Sequence, residues 1–205
     1  TVAKDLSADE ITPKIAATYN FTDNYSGYAQ YSKGFRAPAY YEVNANFSNP
    51  RFGYTTISNG DLKPETSDSY EIGVRGRYPK VDFKLAGFYN KYDNFINQLV
   101  NIGVIDGLTT YQTQNVDSAQ ISGYELAFNL YTNEDRKGLS LFSNLAYASG
   151  DNLTDDAPLD SVNPFEANLG IKYLSDNNKW QAKLTNTFVG KARVAEGTTT
   201  FVPEA

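Results

Sequence analysis

The chain has 205 residues, with 18 Lys and Arg against 24 Asp and Glu, a net charge of -6, and no Cys, Met or His. Without thiols or imidazoles it lacks a disulfide framework, a thiolate metal site, a Cys nucleophile and the commonest general base. The acidic balance and the absence of a Lys/Arg tract exclude nucleic acid as a partner, and no apolar run approaches the roughly 20 residues of a membrane-spanning helix.

A membrane barrel stays open, because its strands need only about 9 to 11 residues of alternating character. Period-two alternation begins in KIAATYNF, where Ile15, Ala17, Tyr19 and Phe21 oppose Ala16, Thr18 and Asn20. TDN then turns the chain, and Tyr25, Gly27, Ala29 and Tyr31 oppose Ser26, Gln30 and Ser32, with Tyr28 out of phase. The same hairpin shape returns with Tyr70, Ile72 and Val74, then YPK, then Phe83, Leu85, Gly87 and Tyr89. It returns again with Tyr124, Leu126, Phe128 and Leu130, answered across TNEDRKG by Leu139, Leu141, Leu145 and Tyr147. Last, Leu169, Ile171 and Tyr173 lead through SDNNK to Trp180, Ala182, Leu184 and Phe188. Alternation of this kind is the primary strand signal, and it gives about eight strands in four hairpins.

The connections alternate too. Those near residues 22–25, 78–81, 132–138 and 175–179 are short, and those near 34–64, 98–113 and 149–163 are long. A soluble sandwich has no reason to gather its long loops at one end, whereas outer-membrane barrels have short periplasmic turns and long extracellular loops. Aromatic residues near strand ends, such as Tyr19, Phe21, Tyr89, Tyr92, Tyr173 and Trp180, suit the headgroup level. The opening TVAKDLSADEITPK has no signal-peptide character, and FVPEA follows directly on a strand-like segment. An open eight-stranded arc would leave edges that lipid does not tolerate. The expectation is therefore all-β: an antiparallel transmembrane β-barrel segment, about eight strands of a larger barrel, with residues 1–205 forming one partial domain.

YSKGFRAP, followed by NGDLKPETSDSYEIGVRG, resembles the FRAP and NPNL boxes of TonB-dependent outer-membrane haem receptors. AQISGYELAFNL, LAYASGDN and PLDSVNPFEANLGIKY resemble the barrel of the haemoglobin/transferrin/lactoferrin receptor branch. The resemblance implies a 22-stranded plugged barrel. This chain would supply about a third of those strands and neither the plug nor the barrel termini. It also implies haem, or a haem-carrying protein, as the transported ligand at the extracellular side. A TonB-type periplasmic energy-coupling protein would act through the plug, outer-membrane lipid would surround the barrel, and there would be no catalytic cofactor and no enzymatic activity. A ferric-siderophore receptor of the same fold and a non-transporting porin or adhesin are the alternative readings.

In the family, the loop between the two boxes supplies an axial ligand to the haem iron, often a His. This sequence has none, and phenolate is an established substitute. Tyr54 stands first, between Gly53 and a Thr pair and near Arg51, whose guanidinium would favour the phenolate form. Tyr41 stands second, and Tyr40 and Tyr41 are read as still on the rising strand. For each tyrosine a packing or headgroup role remains open. Phe35, Arg36, Ala37 and Pro38 shape the loop's departure; Asn59, Gly60, Leu62, Lys63, Pro64 and Glu65 shape its return, with Asn59 or Gly60 supplying a left-handed turn. Arg36 or Lys63 could alternatively meet a haem propionate. Asp151, Asp155, Asp156 and Asp160 lack the spacing of a calcium-binding helix-loop-helix and read as a solvated loop.

Overall fold

The computed structural model describes residues 9–44, 46–159, 162, 165–191 and 193, the side chain of Asp117 excepted. In chain order the elements are β1 Lys14–Thr22, β2 Tyr25–Arg36, α1 Tyr40–Asn44, β3 Phe47–Asn49, a 3-10 turn Pro50–Phe52, β4 Tyr54–Ile57, β5 Glu65–Arg77 and β6 Val81–Ile105. There follow β7 Leu108–Tyr131, β8 Gly138–Asn152, β9 Ala157–Pro158, β10 Phe165–Leu174 and β11 Gln181–Val189. One 11-stranded sheet carries the eight long strands as β1-β2-β5-β6-β7-β8-β10-β11, each paired antiparallel with its sequence neighbour. These are the eight strands expected from alternation, in the expected order.

The register makes one face predominantly apolar. Ala29 lies opposite Ile72, Val74 opposite Leu85, Leu85 opposite Leu126, and Leu126 opposite Leu145. Ile15, Ile72, Leu141, Ile171 and Leu184 on this face are all solvent-exposed in the sheet, so hydrocarbon is the medium that would cover them. The opposite face carries Glu71, Arg75, Lys84, Glu125, Asn144, Glu166 and Lys172, the lining of a barrel interior. Tyr28, out of phase by composition, belongs to this polar face. Its hydroxyl donates to Glu71, and Arg75 stands over its ring at 5.6 Å.

Glycines and rings interlock across this sheet. Tyr28 pairs with Gly73, Phe88 with Gly123, and Phe142 with Gly170, each ring lying over the glycine opposite it. A ring over a cross-strand glycine restores packing that the glycine gives up and pins the register. At the end with the short links, the Arg136 guanidinium joins Asp82 at 2.8 and 2.9 Å and stacks on Tyr131, tying two turns together.

The other end departs from expectation. The link read as a long loop near 98–113 is strand: β6 and β7 continue to a two-residue turn at Asp106 and Gly107, both with positive φ (51° and 79°). Asp-Gly in this conformation is the favoured tight hairpin turn. Alternation fails there because β6 bulges between Asn97 and Val100 and again between Asn101 and Val104, and each bulge reverses the side-chain phase. At 25 residues, β6 is roughly 80 Å long, so the β6–β7 ribbon stands well clear of a bilayer. The stretch 34–64 is likewise folded, containing α1 and the β3–β4 hairpin, and 149–163 begins with β8 and the short β8–β9 pairing.

Gly123→Ala would drive its Cβ against the Tyr147 carbonyl oxygen and place it 2.7 Å from the Phe88 ring. We expect a loss of roughly 1–3 kcal/mol, read as an earlier urea-unfolding midpoint of the membrane-inserted barrel. Gly87→Ala, whose Cβ meets only Gly123 O at 3.8 Å, should leave the midpoint unchanged.

Candidate functional site at the barrel mouth

Between Arg36 and Glu65, which face each other in the β2–β5 ladder, the chain leaves the sheet and returns 28 residues later at the same height. Pro38 cannot donate to the ladder, and β2 ends just before it. Ala39 then caps α1, its carbonyl accepting from Glu42 N at 3.0 Å while the Glu42 carboxylate accepts from Ala39 N at 2.7 Å. This is the returning half of a capping box. The helix corrects the expected location of Tyr40 and Tyr41: they lie on α1, exposed, and not on the rising strand.

Glu42 organises the insertion. Its side chain is 1% exposed. Besides Ala39 N it accepts from Arg36 Nη1 at 2.9 and 3.1 Å and from Gln98 Nε2 at 2.7 Å. Arg36 Nε also lies 3.7 Å from Glu65 Oε2, the oxygen that accepts from Ile96 N at 2.9 Å. The FRAP-type box, the LKPE-type box, α1 and the rising arm of the ribbon thus converge on two carboxylates and one guanidinium. Arg36, considered for a haem propionate, is engaged by these acids. Burial on its own would raise the Glu42 carboxyl, but the Ala39 amide, the Arg36 guanidinium and the Gln98 amide together hold it below the usual carboxylate range.

By the alternation of their strands, Arg36, Glu65 and Ile96 all belong to the polar face, so α1 lies over the barrel interior. Val43, Leu62 and Ile96 are buried at this end, supplying the small apolar core of the insertion. The returning arm then crosses the ribbon. Asn115, on the same phase of β7 as Glu125, exchanges two hydrogen bonds with the Lys63 backbone, at 2.8 and 3.1 Å, and donates to Asn94 O at 2.7 Å. Asn59 donates to Thr113 O, and Gln112 to Ser58 O. Beyond the Ala119–Asn152 pair β8 leaves β7, and β4 pairs parallel with β7 from Tyr54–Thr109 to Ile57–Gln112. The insertion is therefore strapped across the inward face of the ribbon and hooked to its far edge.

Among the described residues of the insertion the left-handed one is Gly53 (φ 73°), closing the 3-10 turn, and not Asn59 or Gly60. Asn59 instead accepts from Asp61 N at 3.0 Å in a local side-chain turn. Leu62 is buried, the backbone of Lys63 is held by Asn115, and β5 starts at Glu65, directly after Pro64. Tyr54 opens β4, half-buried, with its ring 6.0 Å from that of Phe47. Among the described residues no cation stacks on Tyr54; Arg51 is exposed on the 3-10 turn. Through the β4–β7 register Tyr54 shares a side with Thr109, and Thr56 with Tyr111, so Tyr54, Phe47 and Tyr111 lie on one face, the inward phase of β7. Alternation did not single out Glu42 or Tyr111. The Asp-Gly turn was the available signal for Tyr111, since it places the residue on a strand with a defined face. Asp151 pairs with Arg193 at 2.9 Å, and Asp155 accepts from Asn152 at 2.8 Å; Asp160 lies outside the described residues.

A family model described as TonB dependent receptor-like, beta-barrel, matches residues 2–204. Hemoglobin-haptoglobin utilization protein B of Neisseria meningitidis serogroup A is 30% identical over 185 residues, 79% of this chain and 22% of its own length. Probable hemoglobin and hemoglobin-haptoglobin-binding protein 4 of Haemophilus influenzae is 26% identical over 217 residues, 99% of this chain and 21% of its own. The chain thus spans about a fifth of the length of these curated relatives. Among solved structures, the copper transporter OprC superimposes with a TM-score of 0.72 over 89% of this chain and 27% of that one, at 24% identity. The siderophore receptor PirA from Pseudomonas aeruginosa gives 0.69 over 87% and 33%, at 22% identity. At these identities the two structures attest the fold.

Removing the buried carboxylate tests the hub. Glu42→Ala should loosen the insertion by roughly 1.5–3 kcal/mol, the scale of a hydrogen bond to a charged group, seen as faster amide exchange or proteolysis within 37–64 while the membrane strands stay protected. Because the Glu42 carboxyl is lowered, its contribution is complete above the ordinary carboxylate range and is lost as pH falls through the lowered value. Protection of 37–64 should accordingly fail in acid, and in Glu42→Gln it should lose this pH dependence.

Proposed function

The chain belongs to the TonB-dependent receptor β-barrel family, and on that premise we propose that it is part of a bacterial outer-membrane receptor that takes up haem from haem or a haem-carrying protein. Residues 1–205 are one stretch of its barrel, and the plug and remaining strands are supplied by the rest of the receptor. The observation that carries this reading is the insertion fixed over the barrel interior by Glu42, with Phe47, Tyr54 and Tyr111 on its inward-phase face. The matched relatives named for haemoglobin and hemoglobin-haptoglobin support the choice of cargo over a siderophore, whose receptors are neighbours in fold alone.

The mechanism is binding and gated passage, with no bond made or broken in the cargo. Loops at the extracellular end capture the ligand, aromatic faces hold the porphyrin, and a phenol oxygen meets the iron. A TonB-type protein in the periplasm then acts on the plug to open the route inward. Tyr54 is our candidate for the iron ligand, since β4 holds its backbone in a ladder and Phe47 fixes one side of its ring. Tyr41, exposed on the short α1, is the second candidate.

Tyr54→Phe in the full-length receptor removes only the phenol oxygen. Haem affinity should fall by about tenfold or more, with a changed Soret band, and Tyr41→Phe should do neither. An unchanged spectrum and affinity in Tyr54→Phe would remove this residue from the site. Tight ferric-siderophore binding with no Soret shift on adding haem would transfer the protein to the siderophore class.

A further inference from the structure

On the apolar face of the sheet, three glycines mark two different situations. Phe21 lies over Gly27, with its ring 3.0 Å from the position a Cβ would take, and Phe83 covers Gly76 more closely still. Gly123, whose own Cβ position points to the polar face, is covered by Phe88. Gly87 has no such roof; a Cβ there would meet only Gly123 O, at 3.8 Å. Its direct partner across the ladder is Tyr124, but the Tyr124 ring turns away and stacks on Tyr147, at 5.3 Å and 26°. The missing ring leaves a groove of about 630 Å³ whose floor is Ala29, Ile72 and Gly87, between Tyr70 and Tyr89 on one side and the Tyr124–Tyr147 stack on the other.

We propose that this groove is a binding site for one fatty-acyl chain of a membrane lipid from the leaflet at the mouth end. The groove is continuous with the apolar band, so hydrocarbon is its natural occupant. Its upper end coincides with a row in which Tyr31, Tyr70 and Tyr89 stand opposite one another across β2, β5 and β6. Two of their hydroxyls reach upward, Tyr31 to Asp68 and Tyr89 to Gln120. Tyrosines with the ring in hydrocarbon and the hydroxyl bonded to a polar row mark the headgroup level. In that row Lys33 and Lys91 flank Asp68, two strand spacings or about 10 Å apart. A chain lying in the groove therefore hangs from a headgroup at the level of these lysines. Gly87 is kept small by the ligand it admits, since no neighbouring side chain demands it.

The site does not depend on what the mouth captures; it rests on the membrane placement of the sheet. The test uses full-length receptor in vesicles of phosphatidylethanolamine and phosphatidylglycerol, with a phosphatidylethanolamine carrying a diazirine on one acyl chain. After photolysis, peptides bearing Ile72, Gly87 and Tyr124 should be labelled several-fold more than the peptide bearing Ala17 and Tyr19 of the same apolar face. Gly87→Leu fills the groove and should bring them down to the same level, while ligand binding at the mouth and the heat-modifiable mobility of a folded barrel stay as in the parent. Should Gly87→Leu lower the folded yield, Ile72→Trp fills the groove from another side and is read in the same way. Even labelling around a folded, inserted barrel, or labelling that either variant leaves unchanged, overturns the proposal without touching the membrane assignment. A disulfide-linked dimer formed by Tyr124→Cys, with no lipid labelling at the groove, gives the groove to a second copy and overturns the proposal as well.

Discussion

A backbone in hydrocarbon has no water to bond to, and every N–H and C=O within the bilayer must be answered by another strand. That requirement shapes the whole molecule. It enforces antiparallel ladders through the eight long strands and, within the bilayer, an alternation of side chains that is apolar outward and polar inward. It also expels irregularity from the membrane layer. The bulges of β6, the positive-φ residues Asn94 and Leu99, the helix and the 3-10 turn all lie toward the mouth. There water or side chains can meet the backbone.

At the mouth a second kind of order takes over. The insertion between Arg36 and Glu65 buries few large apolar side chains, so hydrogen bonds to side chains fix its course. A buried carboxylate is costly unless its lone pairs are met; Glu42 is met by a backbone amide, a guanidinium and a side-chain amide. The same economy appears at Asn115, whose single amide imitates a strand partner for Lys63. These polar clasps place an aromatic face over the barrel interior without a hydrophobic core of ordinary size.

The division between membrane and mouth is also the division between what could and could not be read from residue order. Ile15 to Phe21, or Leu139 to Tyr147, announce strands because lipid on one side and a polar interior on the other impose period two. Even Tyr28, the exception, has its reason in Gly73 directly opposite. In QLVNIGV no lipid lies on either side of the ribbon and two bulges reset the phase, so period two is lost despite the Asp-Gly turn beyond it. The hooking of β4 onto β7 leaves no local trace, because it joins residues dozens of positions apart, and Glu42, though Arg36 and Ala39 are near it in sequence, owes its burial also to the distant Gln98. Phe35, Arg36, Pro64 and Glu65 were legible as a pair of boxes, yet what they enclose, a helix and a hairpin held by a carboxylate, was not.

The crossing of the ribbon by the insertion also bears on assembly. Asn59 and Thr113 are 54 residues apart in sequence, and β4, paired locally with β3, has its second partner only once β7 has been laid down. Contacts separated so far along the chain form late. The β3–β4 hairpin can therefore dock only once the ribbon behind it is complete. The barrel would thus be built with a wide mouth and acquire its narrow one as a final step.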